Sequence, residues 1–218
     1  ASLRRCLFLP LLTQFGMTHR LPESDLRADE GLMLAYRYGE AEAFELLYAR
    51  WRSSLYRYLV HQCGHGRVAD ELFQDIWLRV VNARNDYEVT AKFSTWLFRI
   101  AHNRLVDYWR QSNRNPVELT VSFEDDEEGG CLPDRTDLSP APVYEQPEQM
   151  VERKALARHL VDAVGALPDA QRETFLMAEE GGMTLEEIAT TMGVGRETVK
   201  SRLRYAMAKL RSELSLWR

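Results

Sequence analysis

Residues 116–152 hold eleven acidic side chains against one basic one, and five of the eight prolines of the 218-residue chain. A segment this charged, with few large apolar groups, cannot bury enough surface to offset the entropy of ordering it. It reads as a linker, so the chain is expected to fold as two small units, one before and one after it. The formal net charge of −5 is therefore misleading: residues 20–115 carry 14 basic and 13 acidic groups, and residues 153–218 carry 11 and 9. The acidity sits in the strap, and the flanking units are slightly basic.

Both flanks show helical periodicity. Apolar residues recur at three and four in Leu47–Val60, Leu72–Val81 and Phe93–Trp109, and no alternating run bounded by turn signals competes with them. The C-terminal flank reads as three or four shorter helices, punctuated at Leu167–Pro168, Gly181–Gly182 and Gly193–Val194–Gly195. The expected fold is all-α: two small helical domains joined by an acidic, proline-rich linker. No run of eighteen apolar residues occurs, so no transmembrane helix is indicated. Cys6, Cys63 and Cys131 are odd in number and far apart, which argues against a disulfide framework and for a reducing, cytoplasmic setting. Residues 1–16 place a basic pair before a short apolar run, as signal peptides do, but Pro10 interrupts the run and no small-residue cleavage site follows. They are expected to be an extension that takes no part in the fold.

Chemistry concentrates at two places. Thr184-Leu185-Glu186-Glu187 has the form of a capping box opening a helix whose Leu185, Ile188, Ala189 and Met192 share one face. A glycine-containing turn follows, then a second helix with Val199, Leu203, Ala206 or Met207, and Leu210 inward and Arg196, Lys200, Ser201 and Arg204 outward. From Arg196 to Arg218 there are seven cations and two carboxylates. Two short helices around such a turn, the second one basic, form a helix-turn-helix of the kind that enters a major groove. An ordinary solvated surface helix is the plain alternative, but cations at a helix start gain nothing from the macrodipole. In the N-terminal flank, Trp96, Phe98, Tyr108 and Trp109 interleave with Arg99, Arg104, Arg110 and Arg114. Cations with aromatic faces suit single-stranded DNA. Individually, Phe93, Trp96, Leu97 and Ile100 also fit a buried stripe.

DELFQDIWLRVV, then FSTWLFRIAHNRLVDYWR, then LPDAQRETFLMAEEGGMTLEEIATTMGVGRETVKSRL, in that order and around a linker, resemble a bacterial sigma factor of the extracytoplasmic-function group, of the sigma-70 family. The resemblance covers about residues 30–114 and 150–212. It implies a region 2 over residues 24–114, a linker over 115–149 and a region 4 over 150–214. It further implies a non-enzymatic alternative sigma factor that binds core RNA polymerase and directs promoter recognition, strand opening and transcription initiation, without a cofactor. By the same resemblance Glu71, Gln74, Asp75 and Leu78, at i, i+3, i+4 and i+7, dock the clamp of the β and β′ subunits, although physics alone reads them as an exposed polar face. The single-stranded −10 element falls to Asn85, Lys92, Ser94, Thr95, Arg99, Asn103 and Arg110, with the loop Asn85 to Lys92 as a pocket for a flipped base. Opening duplex costs on average about 1.4 kcal/mol per step, so captured bases and polymerase contacts must compensate.

The duplex −35 element falls to Arg196, Glu197, Lys200, Ser201, Arg202 and Arg204, with Arg196 and Arg202 toward phosphates. Here the chain departs from common family wording: Glu197 replaces a usual Gly, and Tyr205 and Met207 stand where Arg is frequent. An anti-sigma factor is an implied partner. The strap is either a nucleic-acid mimic in the polymerase cleft or a spacer. His61, Cys63 and His65 could ligate a metal but lack a second pair at finger spacing, and fit a helix end entering a loop. The competing function is a stand-alone dimeric helix-turn-helix regulator, which needs no core polymerase to bind DNA.

Overall fold

The computed structural model describes residues 27–64, 66–112, 156 and 158–215; the extension over 1–16, the linker over 115–149, His65, Cys6 and Cys131 lie outside the described residues. Among the described residues every regular element is helical. The N-terminal unit consists of α1 (Asp29–Arg37), α2 (Ala41–Cys63), α3 (Arg67–Asn82), a single 3₁₀ turn (Ala83–Asp86) and α4 (Phe93–Ser112). The C-terminal unit consists of α5 (158–165), α6 (Asp169–Glu179), α7 (Leu185–Met192) and α8 (Arg196–Ser215).

The predicted apolar periodicities become the core. Leu47, Leu55 and Leu59 of α2, Leu72 and Ile76 of α3, and Phe93, Leu97 and Ala101 of α4 are buried together with Leu32 and Met33 of α1. Burying a side chain of this size contributes about 1.5–3 kcal/mol. Around that centre an aromatic cluster locks α1, α2 and α3: Phe44 lies 4.8 Å from Tyr36 and 5.8 Å, edge-on, from Trp77.

Polar ties then position the ends of the helices. The Asp29 carboxylate accepts from Arg50 Nη1 at 2.5 Å and from Trp51 Nε1 at 2.9 Å, pinning the start of α1 to the middle of α2. The Arg50 side chain is only 8% exposed, so this carboxylate neutralises a nearly buried cation. One residue on, Glu30 Oε1 accepts from the Phe93 amide at 2.7 Å. It thereby satisfies one of the amides that the first turn of α4 leaves without an intrahelical partner. Gly64 ends α2 with φ +81°, a conformation that side chains disfavour.

In the C-terminal unit α6 and α7 both pack on α8, through Phe175, Leu176, Met177, Ile188, Val199, Ala206 and Leu210. Pro168 precedes the first turn of α6, where no partner is needed for a missing N–H. Lys209 Nζ donates to the Ala166 carbonyl at 2.6 Å and Arg172 Nη1 to those of Gly165 and Leu167 at 3.0 and 3.2 Å, closing the end of α5. The two units are packed against each other, α6 on α2 and α7 on α4, and their buried apolar residues form one continuous cluster. Two halves separated by a strap do not by themselves lead one to expect this packing.

The Asp29 tie gives a stability test. Asp29→Ala leaves Arg50 nearly buried without its carboxylate and should lower unfolding free energy in urea by about 3 kcal/mol, with Arg50→Met in the same chain recovering most of the loss. Equal midpoints for the single and double variants would contradict that account.

Candidate nucleic-acid interface

The capping box forms as its residue pattern requires. Thr184 Oγ1 accepts from the Glu187 amide at 3.3 Å, and Glu187 Oε2 accepts from the Thr184 amide at 2.7 Å. Helix α7 stops at Gly193, in the left-handed region at φ +65°, and the Val194 amide returns to the Ala189 carbonyl at 3.0 Å. That tight return starts α8 at Arg196. Val199, Ala206 and Leu210 turn inward, while Glu197, Lys200 and Arg204 stay exposed, with half-buried Ser201 among them. Arg202 is half-buried and about 140° round the helix from Glu197, so it lies off the shared face. The cations are restrained in advance: Arg196 is ion-paired with Glu186 of α7 and, at 3.3 Å, with Glu197, which also takes Lys200 at 3.4 Å. The Arg204 guanidinium lies 5.0 Å from the ring of exposed Tyr205.

Helix α4 divides its surface by residue spacing. Phe93, Leu97, Ala101 and Leu105, at i, i+4, i+8 and i+12, are buried. Arg99, Asn103 and Arg110, at i, i+4 and i+11, are exposed on another face, and Lys92 continues that line one residue before the helix. Asn85 is exposed but lies in the 3₁₀ turn, so the stretch expected as a loop from Asn85 to Lys92 begins inside a helical turn. Tyr87 is buried 5.0 Å, edge-on, from the Trp96 ring, and its carbonyl accepts from Arg37 at 3.0 Å. Burial, with Glu30 and Asp29 nearby, pushes the Tyr87 hydroxyl up to about 12. Ser94 and Thr95 differ from the other five residues expected to meet the −10 strand: they are 7% and 8% exposed, and Thr95 Oγ1 donates to Glu187 of the C-terminal unit at 2.8 Å.

On α3, Leu72, Ile76 and Trp77 are buried and Glu71, Gln74 and Leu78 exposed, Leu78 at 59%, as the spacing predicts. Asp75 is only half exposed, ion-paired with Arg104 of α4 and with Arg79 at 3.4 Å. No residue pattern announces the Arg104 partnership across 29 positions. Of the three residues considered for a metal, His61 and Cys63 end α2, and the Cys63 thiol donates to the Leu59 carbonyl at 3.0 Å. Burial pushes that thiol up to about 12.

Family comparison fits this layout. The family model of Sigma-70 region 2 matches residues 47–115, and that of Sigma-70, region 4 matches residues 163–212. RNA polymerase sigma factor CarQ of Myxococcus xanthus is 30% identical over 182 residues, 84% of this chain and 95% of its own. The chain belongs to the sigma-70 family of RNA polymerase sigma factors. Within it, ECF RNA polymerase sigma factor RpoE of Cereibacter sphaeroides is 31% identical over 186 residues, covering 84% of this chain and 93% of that one. The fold resembles that of the sigma factor RpoE from Bartonella quintana, solved in complex with the anti-sigma factor NepR, with TM-score 0.57, 20% identity and coverage of 82% and 100%. This sigma factor is accordingly of the extracytoplasmic-function type and directs promoter recognition and transcription initiation.

Glu187 completes the capping box that opens the sigma factor's helix-turn-helix. Burial alone would raise its pKa, but the Thr184 amide, the Thr95 and Thr184 hydroxyls and the Lys92 charge outweigh that and hold it below the ordinary 4.5. A carboxylate depressed on folding contributes stability that is full above the unfolded value and is lost as pH falls through the folded one. Melting temperature should therefore fall less steeply with acidification below pH 4.5 in Glu187→Gln than in the parent chain. Parallel curves from thermal melts across that range would exclude this role for Glu187.

Proposed function

We propose that the sigma factor binds core RNA polymerase through α3, captures the melted −10 strand on the exposed line of α4, and reads duplex −35 DNA with α8. Residues 24–114 then act as region 2, residues 150–214 as region 4, and the acidic linker over 115–149 joins them. The observation that carries this reading is the pairing of two different cationic faces in one chain. Lys92, Arg99, Asn103 and Arg110 line a helix beside half-buried Trp96 and exposed Trp109, whereas Arg196, Lys200 and Arg204 rise from a helix-turn-helix with an apolar inner side. The first suits unpaired bases, each with a stackable face and a phosphate. The second suits a groove, with Lys200 and Arg204 reaching base edges and Arg196 and Arg202 the phosphates. Glu197 supplies an acceptor that fits the amino group of cytosine.

Leu78, flanked by Glu71 and Gln74, is the apolar centre of the polymerase-docking face, and Asp75 orders it through Arg104. The related Bartonella quintana factor was solved with its anti-sigma factor, which supports a regulatory partner of the same kind here.

The two DNA faces separate experimentally. Lys200→Ala and Arg204→Ala should weaken binding to a duplex −35 element by about 1–3 kcal/mol each at a base-reading position, while loss of a phosphate-binding cation lowers the salt slope instead. Asn103→Ala should leave duplex binding intact and reduce open-complex yield on both duplex and pre-melted bubble templates. Identical behaviour of Asn103→Ala and Lys200→Ala on the two templates would overturn this division of labour. For docking, Gln74→Ala with Leu78→Ala should lower affinity for core polymerase while leaving the melting temperature nearly unchanged, since exposed substitutions rarely perturb stability. Unchanged core affinity would remove α3 from the polymerase interface.

A further inference from the structure

The exposed cations at Arg196, Lys200 and Arg204 of α8 are held in two different ways. Arg196 is ion-paired with Glu186 and Glu197, and Lys200 with Glu197, so each already spends a donor on a carboxylate. Arg204, one turn beyond Lys200, has no carboxylate partner among the described residues. Its contact is the ring of Tyr205, with 5.0 Å from the guanidinium carbon to the ring centre. Tyr205 plays no part in packing the helix: it is 56% exposed, while Val199, Ala206 and Leu210 make the buried side of α8. Adjacent helical residues point about 100° apart and do not ordinarily meet. The contact therefore requires the Arg204 chain to lean sideways along α8, toward Tyr205.

We infer, on the assignment of α8 to duplex −35 DNA, that Tyr205 is a positioning residue: its ring holds the Arg204 guanidinium for a guanine edge in the major groove. The two ways of holding a cation differ in what they leave available. A carboxylate occupies N–H donors, and the pair must be broken before those donors reach DNA. An aromatic face attracts the charge through its quadrupole and takes up no hydrogen-bond acceptor, so the fork of guanidinium donors stays open. Two neighbouring donors of that fork match O6 and N7 of guanine, the bidentate contact that arginine makes best. The ring also removes part of the rotamer freedom that a long side chain otherwise loses on binding. Being uncharged, Tyr205 does this without adding attraction to phosphates, which is equal for every base sequence. Its contribution is thus to discrimination at one base pair, acting through Arg204.

The test uses the full chain with core RNA polymerase, selecting bound DNA from a promoter library randomised over the −35 region, with sequencing to give the base preference at each position. Arg204→Ala should abolish a guanine preference at one position. There Tyr205→Leu, which keeps an apolar side chain without a ring, should lower the preference about two- to fivefold, the range of an exposed cation–π contact. Tyr205→Phe should retain it, and Tyr205→Leu should change nothing further in a chain already carrying Arg204→Ala. The salt slope of Tyr205→Leu should equal that of the wild type, because no cation is lost. Undiminished guanine preference in Tyr205→Leu would overturn the inference. So would its loss in Tyr205→Phe, or an effect of Tyr205→Leu that survives Arg204→Ala, since both would mean that Tyr205 meets DNA directly. A second readout needs no DNA: in the free chain the Arg204 side-chain NMR resonances should carry a ring-current shift that disappears in Tyr205→Leu and remains in Tyr205→Phe. Absence of that shift would also overturn positioning by the ring. Loss of a preference for another base in Arg204→Ala would overturn the guanine assignment. Unchanged preferences at every position in Arg204→Ala, with the ring-current shift present, would instead sink the base-reading role of Arg204 itself.

Discussion

One helix has to satisfy three neighbours, and the arrangement of the molecule follows from how it does so. The side chains of α4 fall into a buried line that closes the N-terminal core, a stripe that meets the C-terminal unit, and an exposed cationic line. The 3.6-residue repeat allows this because faces separated by a third of a turn can be assigned independently. The helix is held at its start by Glu30 on the Phe93 amide and along its length by Arg104 on Asp75. Its orientation is therefore set by α1 and α3, and the cationic line inherits that rigidity.

The helix-turn-helix works by a different economy. Its geometry comes from local chemistry, a capping box at one end of α7 and a left-handed glycine at the other, and its second helix, α8, is long and sparsely buried. Carboxylates at Glu186 and Glu197 hold Arg196 and Lys200 in the absence of DNA. Exposed pairs of this kind contribute little to stability. Their effect is to hold Arg196 and Lys200 beside acceptors of α7 and α8.

Region 4 also uses its acidic residues against region 2. Glu173, Glu180 and Glu187 recur every seven residues, a spacing that looks like ordinary solvated helix surface, yet each meets a donor on α2 or α4. Tyr58 is the clearest sign of how dry this seam is: burial, then the charge of Glu173, raises its hydroxyl well above the ordinary value.

The amino-acid sequence by itself determined every element whose cause is local. Helix spacing, the capping box at Thr184, the glycine stop at Gly193 and the exposed face of Glu71, Gln74 and Leu78 follow from residues within a turn or two of one another, and family resemblance placed them in order. Thr95 and Asp75 show where that legibility stops. Both sit at positions that read as open surface, yet one is covered by a unit 92 residues further along and the other is paired across 29 residues. Periodicity reports which side of a helix is apolar, not which distant helix will lie against its polar margin. The partners of Arg57, Thr95 and His102 were decided only when the two units packed, because a hydrogen bond between units requires a relative orientation that no local repeat encodes.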